Sequence, residues 1–376
     1  MASKGMIAYF DYRPGYESQR EEFDEAIARV LASGKLILGE EVEAFEEEFA
    51  RFIGVQHAIG VGNGTDAITL SLRALGLGPG DEILTVGNAG VAPIAGIRAA
   101  GATPRLLDVH PETLLLDPAH LERALTEKTR AILPVHLYGN PAELDALSEF
   151  AERNELLVIE DCAQAHGARF RGRPVGSRGA VGCFSFYPTK NLGAFGDGGI
   201  CVTDDSDVAS RIREQRMYGF REDGFAHVEG MNSRLDELQA AILRVRLAHF
   251  EGALSERREL AALYRKELRV GSCALVEPSA SGDHAYHLFV IQVSERKSLC
   301  DALARAGVGY AIHYPVPVHR MDAYAFLDRP GELVCSEAAS ERVVSLPLYP
   351  GLAKEAVLEV SQVVSGWADR NGDPSA

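Results

Sequence analysis

Between residues 55 and 203 the chain alternates short apolar runs, turns and helix-like segments, and this alternation restricts the fold more than any other feature. The runs with the length and apolar character of buried strands are residues 58–61, 83–86, 103–107, 131–135, 156–160, 181–186 and 199–202. Strands that alternate with helices form mostly parallel sheets covered by helices. We therefore predict an α/β fold with a mostly parallel seven-stranded sheet between helices.

The segments outside this region are more helical. We predict one helix from about residue 17 to 31, and residues 233–268 follow a helical pattern with two apolar stripes, which indicates a long helix buried on two sides. Mixed elements follow from about residue 255: a strand at 287–293 and helices at 299–306 and 354–367. The predicted organisation is a large domain over residues 1–250 and a smaller C-terminal α/β domain over residues 251–376.

The composition restricts the possible partners. A chain of 376 residues with 46% hydrophobic residues can bury two cores, and its net charge of −16 argues against nucleic acid or an anionic membrane as partner. Six cysteines show neither a C-x-x-C pair nor a metal-ligand spacing, so we expect reduced core thiols and no metal site. Because the sequence shows neither a signal-peptide pattern nor an apolar run of about 18 residues, we expect a cytoplasmic protein.

One lysine follows a predicted strand in a proline-containing turn. The segment SFYPTKNLGA places Lys190 just after the strand over 181–186, and a glycine cluster comes next. The strand over 156–160 likewise leads into Asp161. Ligands of open α/β sheets bind beyond the carboxyl ends of strands, so both side chains are expected at one crevice. On their own, a surface lysine and a helix-capping aspartate explain the same two segments.

A third segment has the pattern of an anion site. In GVGNGTDAITLSL, residues 60–72, a strand passes through Gly64 and Thr65 into an amphipathic helix. Backbone amides at a helix N-terminus, together with a threonine hydroxyl, bind phosphate groups. Ser185, near the lysine turn, is a further candidate donor. Taken alone, the same residues also suit an ordinary helix cap.

Together these segments resemble the DegT/DnrJ/EryC1/StrS family of sugar aminotransferases, which depend on pyridoxal phosphate and have the aspartate aminotransferase fold, fold type I. The resemblance runs along nearly the whole chain, through SGKLILGEEVEAFEEEFA, GNGTDA, PVHLYGNPAELDAL, IEDCAQAHGA, FSFYPTKNLGAFGDGG, MNSRLDELQAAILRVRL and HYPVPVH. It implies transfer of an amino group from glutamate to a nucleotide-linked keto-sugar. The pattern is most similar to enzymes that aminate C3 of dTDP-keto-6-deoxyhexoses in antibiotic sugar synthesis.

The resemblance also implies roles for individual residues. Lys190 would bond covalently to pyridoxal phosphate, and Asp161 would pair with its ring nitrogen. The other implied cofactor contacts are Gln164 at the phenolic oxygen, Gly64, Thr65 and Ser185 at the phosphate, and Asn232 at the phosphate from the neighbouring subunit of a homodimer with shared active sites. The implied substrate-binding residues are His313, Tyr314 and His319.

One position departs from the family pattern. Many relatives carry an aromatic residue after the second strand, where this chain has Asn88, Ala89, Gly90 and Val91. Either another side chain covers that face of the cofactor or the pocket is more open. A C4 sugar aminotransferase, a cyclitol aminotransferase and a non-catalytic regulator with the same fold remain alternatives. Lys190 argues against the dehydratase branch of the family, which carries histidine there.

Overall fold

A computed structural model describes residues 6–268, 271, 273–327 and 331–371. The helices are α1 (Arg13–Ser18), α2 (Arg20–Ser33), α3 (Glu40–Ile53), α4 (Gly64–Ala74), α5 (Ala92–Ala99), α6 (Leu121–Ala124), α7 (Leu144–Arg153), α8 (Ser206–Gln215), α9 (Glu237–Ala248), α10 (Phe250–Glu267), α11 (Arg296–Arg305), α12 (Val334–Arg342) and α13 (Lys354–Asn371). The strands are β1 (His57–Val61), β2 (Glu82–Val86), β3 (Thr103–Leu107), β4 (Thr129–Ile132), β5 (Leu157–Asp161), β6 (Arg169–Phe170), β7 (Arg173–Pro174), β8 (Val181–Ser185), β9 (Gly199–Thr203), β10 (Ala274–Leu275), β11 (Gly282–Asp283), β12 (Phe289–Gln292) and β13 (Val343–Leu346). In the described helices, no stretch is both long and apolar enough to span a bilayer.

The central sheet has seven strands in the order β1-β9-β8-β5-β4-β2-β3, which confirms the predicted mostly parallel sheet. The pairs from β8 to β3 are parallel, whereas β9 runs antiparallel to both of its neighbours. The carboxyl ends of β1, β2, β5 and β8 therefore share one edge of the sheet, together with the first residue of β9. This edge carries the candidate site.

In the central sheet the strand bounds agree with the predictions to within one residue, except at β4, and the C-terminal strand predicted over 287–293 is the shorter β12. The predicted run over 131–135 is instead Thr129–Ile132, followed by an isolated bridge from Val135 to Asp161. Pro134 explains the interruption, since proline has no N–H to donate to a neighbouring strand.

Two predicted helices are each divided. The segment over 17–31 lies in α1 and α2, and the segment over 233–268 contains α9 and α10, which meet at His249. The two apolar stripes belong to different packing surfaces: Ala241 of α9 packs against α2, and Phe250 and Leu254 at the start of α10 join the core of the central sheet. A single straight helix would not present these stripes to both surfaces.

Two smaller sheets complete the fold. The antiparallel sheet β10-β12-β13 packs with α11 and α13 around a second apolar cluster that contains Tyr264 and Trp367. The other small sheet, β11-β6-β7, joins segments before and after residue 250. The domain division near that residue stays a prediction.

Candidate active site

Lys190 lies in a turn that is held between two strands of the central sheet. The turn connects β8 to β9, and the N–H of Lys190 donates to the Tyr187 carbonyl at 2.8 Å. The N–H of Ala194 donates back to the Phe186 carbonyl at 2.7 Å, which closes the turn behind the lysine. The side chain is half-buried. The sequence prediction of a lysine just beyond a strand end is therefore confirmed.

The environment of Lys190 favours its neutral amine. Burial lowers the pKa of Lys190 to about 8, although the nearby Asp161 acts in the opposite direction. The neutral amine, which is the form that attacks a carbonyl, is therefore much more populated near neutral pH than in an ordinary lysine.

Asp161 ends the neighbouring strand β5 and is 3% exposed. Its Oδ1 accepts a hydrogen bond from the Ala163 N–H at 3.0 Å. Burial raises the pKa of Asp161, and the Ala163 N–H and Lys190 lower it less. A buried carboxyl group with a raised pKa can share a proton with a basic nitrogen. This is the role expected of Asp161 toward the ring nitrogen of a cofactor.

The start of α4 meets Ser185 at the same edge of the sheet. Asn63 caps the helix, its Oδ1 accepting from the Asp66 N–H at 2.9 Å. Gly64 lies so close to Ser185 that a Cβ atom on it would be 2.6 Å from the serine Cβ. The amides of Gly64 and Thr65, the Thr65 hydroxyl and the Ser185 hydroxyl are therefore gathered around one helix N-terminus, where the helix dipole favours an anion.

Gln164 is buried, and its amide is oriented by two hydrogen bonds. Its Oε1 accepts from the Tyr138 N–H at 2.7 Å, and its Nε2 donates to the Tyr314 hydroxyl at 3.1 Å. The Tyr138 hydroxyl in turn donates to the His313 carbonyl. These contacts join the C-terminal segment that contains His313 and Tyr314 to residues following β4 and β5.

The remaining predicted site residues have different surroundings. His313 is half-buried, its Nδ1 lies 2.9 Å from the Ser345 hydroxyl, and burial together with Lys190 lowers its pKa to about 4. His319 is 1% exposed and its Nε2 lies 3.0 Å from Glu337 Oε1, an arrangement typical of a structural histidine. Asn232 is exposed, next to Ser233, whose hydroxyl bonds to Gly62 and Asp66 of the same chain. The predicted ligand roles of all three stay predictions.

Sequence reasoning gave no role to several polar groups near Lys190. Burial, with a further contribution from Lys190, lowers the pKa of His166 to about 3 and that of His287 well below its usual value. Within the described residues, Nδ1 of His287 and Oδ1 of Asn191 are buried without a hydrogen-bond partner. His166 lay inside the motif IEDCAQAHGA, but nothing in the sequence connected His287 with the lysine.

A cavity of about 70 Å³ adjoins the lysine turn. Its lining includes Lys190 and Asn191 together with Tyr12 of the N-terminal segment, the half-buried Arg246 and the buried Arg257. Although the chain as a whole is acidic, the positive charges of these two arginines make the electrostatic potential in the cavity less negative. Their positions on α9 and α10 were not connected with the site by the sequence.

These residues fit pyridoxal phosphate. The chain offers an amine of lowered pKa for the aldehyde, a buried carboxyl group for the ring nitrogen, and backbone amides with two hydroxyls for the phosphate. The buried polar atoms without partners near Lys190 also indicate a site built to receive a polar molecule, since such atoms are normally satisfied.

Glu160, next to Asp161, is fully buried and accepts four hydrogen bonds. Its donors are His136 Nε2 at 3.0 Å and the N–H groups of Gly176, Arg178 and Gly179 at 2.7, 2.9 and 2.7 Å. Burial alone would raise its pKa, but the bonds from His136 and the backbone lower it below the usual value. These bonds fix the end of β5 that carries Asp161.

Glu160 also belongs to a buried group with His136 and Cys162 whose possible ligand atoms lie within 4.8 Å of one another. The His136 Nδ1 accepts from the Ala142 N–H at 2.9 Å, so the other ring nitrogen carries the proton that is donated to Glu160. With both imidazole nitrogens and the carboxylate already bonded, the group has the chemistry of a structural network rather than of a metal site.

Comparisons with known proteins identify the family. A sequence profile of the DegT/DnrJ/EryC1/StrS aminotransferase family matches residues 17–365. The chain is 46% identical to a dTDP-3-amino-3,4,6-trideoxy-alpha-D-glucose transaminase of Streptomyces venezuelae, over 97% of each chain. It is also 46% identical to the erythromycin biosynthesis sensory transduction protein EryC1 of Saccharopolyspora erythraea, over 96% of this chain and all of that protein. The crystal structure of S. venezuelae DesV in complex with a ketimine intermediate matches with a TM-score of 0.96 and 45% identity, over 98% of this chain and 100% of that one.

Proposed function

Because the chain belongs to the DegT/DnrJ/EryC1/StrS aminotransferase family, we propose that it transfers an amino group from glutamate to C3 of a dTDP-linked keto-6-deoxyhexose. As a family member it is a pyridoxal-phosphate-dependent sugar aminotransferase. The observation that carries the choice of sugar is the 46% identity, over 97% of the chain, to a transaminase named for a dTDP-3-amino sugar.

Lys190 has two proposed roles in this reaction. When bound, pyridoxal phosphate supplies an electron sink that stabilises negative charge on the carbon next to the transferred nitrogen. In the resting enzyme, Nζ of Lys190 would hold the cofactor through its aldehyde group. When released, the same Nζ accepts the proton from the α-carbon of glutamate, for which its pKa of about 8 is well suited.

The other site residues orient the reactants. Asp161 would keep the proton on the ring nitrogen, and Gln164 would contact the phenolic oxygen. Gly64, Thr65 and Ser185 would bind the phosphate, and His313 and Tyr314 would approach the sugar. His319, buried and bonded to Glu337, has the surroundings of a structural residue instead. The proximity of Asp161 to Lys190 and the backbone amides at the start of α4 support these assignments.

We further propose a homodimer in which the two chains complete each other's sites. The segment before Asn232 exposes several apolar side chains, with Phe225 at 71% exposure beside Tyr218, Phe220 and Val228. An exposed apolar group of this size is typical of a surface that a partner covers. In this arrangement the exposed Asn232 of one chain reaches the phosphate in the partner's site.

We propose that the reaction takes place in the cytoplasm. Among the described residues none of the six cysteines forms a disulfide, and five of them are buried. Free thiols without disulfide pairing are typical of proteins in reducing compartments.

The alternatives share most of this site. C4 sugar aminotransferases and cyclitol aminotransferases need the same cofactor residues, so the acceptor must be identified by experiment. A non-catalytic regulator has no need for a lysine of lowered pKa beside a buried carboxyl group, and this pair favours the enzyme.

The deciding experiment supplies the purified protein with pyridoxal phosphate and glutamate, and then with dTDP-3-keto- or dTDP-4-keto-6-deoxyhexose in separate reactions. We expect glutamate to convert the cofactor to its amine form and an amino product to form only from the 3-keto sugar, as measured by absorbance and product mass. Amination of only the 4-keto sugar would overturn the C3 assignment. No spectral change with glutamate would overturn the donor, and the other amino acids would then be tested in the same assay.

A further inference from the structure

The loop that follows β4, residues 134–140, holds the main chain of Asp161 through two hydrogen bonds. The Asp161 N–H donates to the Pro134 carbonyl at 2.9 Å, and the His136 N–H donates to the Asp161 carbonyl at 3.0 Å. Val135, between them, forms the isolated parallel bridge to Asp161. The place of Asp161 at the edge of the sheet therefore depends on this loop as well as on β5.

The same loop orients a second residue of the crevice through Tyr138. The Tyr138 N–H donates to Gln164 Oε1 at 2.7 Å, and the Tyr138 hydroxyl donates to the His313 carbonyl. Tyr138 has a φ of +62°, which residues other than glycine rarely adopt. Such a backbone conformation persists only where surrounding contacts hold it. The 134–140 loop therefore needs an anchor, and through the loop this anchor acts on both Asp161 and Gln164.

The imidazole of His136 provides this anchor. It is fully buried, and its Nδ1 accepts from the Ala142 N–H at 2.9 Å. Because a backbone N–H can only donate, the ring proton lies on Nε2, which donates to Glu160 at 3.0 Å. Three backbone N–H groups donate to the same carboxylate. His136 is thus bonded to two successive residues of β5, to Glu160 by its side chain and to Asp161 by its main chain.

We propose that His136 is a positioning residue for the transamination: by bonding the 134–140 loop to Glu160, it places Asp161 and Gln164 against the cofactor ring. This inference rests on the proposed function, which gives Asp161 and Gln164 their contacts with the cofactor. His136 acts through these two residues and not by a contact of its own, because both of its ring nitrogens already have hydrogen-bond partners.

Three substitutions of His136 separate its two ring contacts. His136→Gln has an NH₂ group at about the place of Nε2 and can still donate to Glu160, but it offers no acceptor at the place of Nδ1. His136→Asn has the opposite property, because its shorter amide reaches only the place of Nδ1 and can accept from the Ala142 N–H. His136→Phe keeps a ring and removes both contacts. If the bond to Glu160 positions the site, the glutamine variant should resemble the wild type most closely.

The measurements use the protein loaded with pyridoxal phosphate. They are the pH midpoint of the bound-cofactor absorbance, the rate and KM of the half-reaction in which glutamate converts the cofactor to its amine form, and the midpoint of thermal unfolding. For His136→Phe and His136→Asn we expect a shifted absorbance midpoint and a rate at saturating glutamate that is lower by about tenfold or more, since misplaced groups lose rate steeply. His136→Gln should recover most of both losses.

Glu237→Ala is the control for a general loss of stability, because it removes three buried backbone hydrogen bonds at the start of α3. We expect it to lower the thermal midpoint without moving the absorbance midpoint. If the His136 variants behave like this control, His136 is only structural and the proposal is wrong. Should His136→Phe fail to fold, a difference between the glutamine and asparagine variants in the expected direction supports the proposal, and equal values overturn it.

This inference and the proposed function fail in different measurements. The absorbance midpoint needs neither an amino donor nor a sugar. The proposed function fails when glutamate does not convert the cofactor of the wild-type protein, or when the 3-keto sugar is not aminated. The role of His136 fails when the absorbance midpoints of its variants stay at the wild-type value.

A double variant tests whether His136 acts through Glu160. Glu160→Gln keeps the volume of the side chain but replaces one acceptor oxygen by an NH₂ group, although four donors face this side chain. We expect it to shift the absorbance midpoint in the same direction as His136→Phe. Because both substitutions break the same connection, the double variant should lose little more rate than the worse single variant. Rate losses that multiply would show that the two residues act separately and would contradict the route through Glu160.

Discussion

Lys190 and Asp161 set each other's protonation, and this coupling gives a pH prediction. Capture of pyridoxal phosphate by the cofactor-free protein needs the neutral amine, so its rate should rise with pH through about 8. In Asp161→Asn the charge that raises the lysine pKa is absent, and the midpoint should move below that of the wild type. Stopped-flow absorbance over a pH series measures both curves.

The control for this measurement is Lys190→Ala, which should bind the cofactor without forming the covalent bond. A wild-type midpoint near the ordinary lysine pKa of about 10.4 would contradict the buried environment described for the amine. An unchanged midpoint in Asp161→Asn would show that the carboxyl group does not act on Lys190.

For single residues, the sequence predicts which ones follow a strand end, but it does not predict which distant residues they contact. Lys190, Asp161 and Gly64 were predictable because an apolar run and a turn mark each strand end. The contacts between Tyr314 and Gly90 and between Glu160 and His136 join distant segments, and no local pattern reveals which of them meet. The orientation of the Gln164 amide depends on Tyr138 in the same way.

Among the elements, α3 shows how a helix can depend on a residue far away in the chain. Gly39 precedes α3 and has no side chain to cap it. The buried carboxylate of Glu237, at the start of α9, accepts from the N–H groups of Gly39, Glu41 and Val42 at 2.8, 3.0 and 2.9 Å. A negative charge at this helix N-terminus also interacts favourably with the helix dipole.

Glu237→Ala should therefore destabilise the protein by about 3 kcal/mol, since three N–H groups would lose their acceptor in a buried place. Urea unfolding at a fixed protein concentration measures the change. Glu47→Ala, on the exposed face of α3, is the matched control and should change the free energy of unfolding by less than about 0.5 kcal/mol. Similar values for the two variants would rule out Glu237 as the cap.

The type and order of elements were more predictable than their ends. Strand periodicity and turns gave the seven-stranded sheet, because each buried strand is a compact apolar run. The breaks between α1 and α2 and between α9 and α10 were missed, since helical periodicity continues across them. The cap from Glu237 to α3 depends on tertiary contact and leaves no local signal.

For the whole molecule, the proposed sharing of sites between two chains predicts complementation between two defective chains. In a heterodimer of Lys190→Ala and Asn232→Ala chains, one site combines the intact Lys190 of one chain with the intact Asn232 of the other. Purified through two different tags, this heterodimer should have about half of the wild-type activity, while each parent homodimer is strongly impaired. The activity is measured with the keto-sugar identified in the acceptor test.

A doubly tagged Lys190→Ala homodimer, prepared in the same way, controls for the tags and the purification. Failure of the heterodimer to exceed its parents would indicate that Asn232 acts within its own chain. Light scattering of the wild-type protein gives the number of chains directly, and a monomer at working concentration would contradict the dimer itself.

The antiparallel course of β9 bears on when the site forms during folding. The lysine turn lies in a hairpin between two strands that are close in the chain, so its contacts are local and can form early. The pairing of β8 with β5 brings in Asp161 across a longer connection, and β1 joins β9 from a distant part of the chain. A newly made chain would therefore have the lysine turn before it has the carboxyl group and the phosphate site. Cofactor capture would then be a late event that reports a nearly completed large sheet.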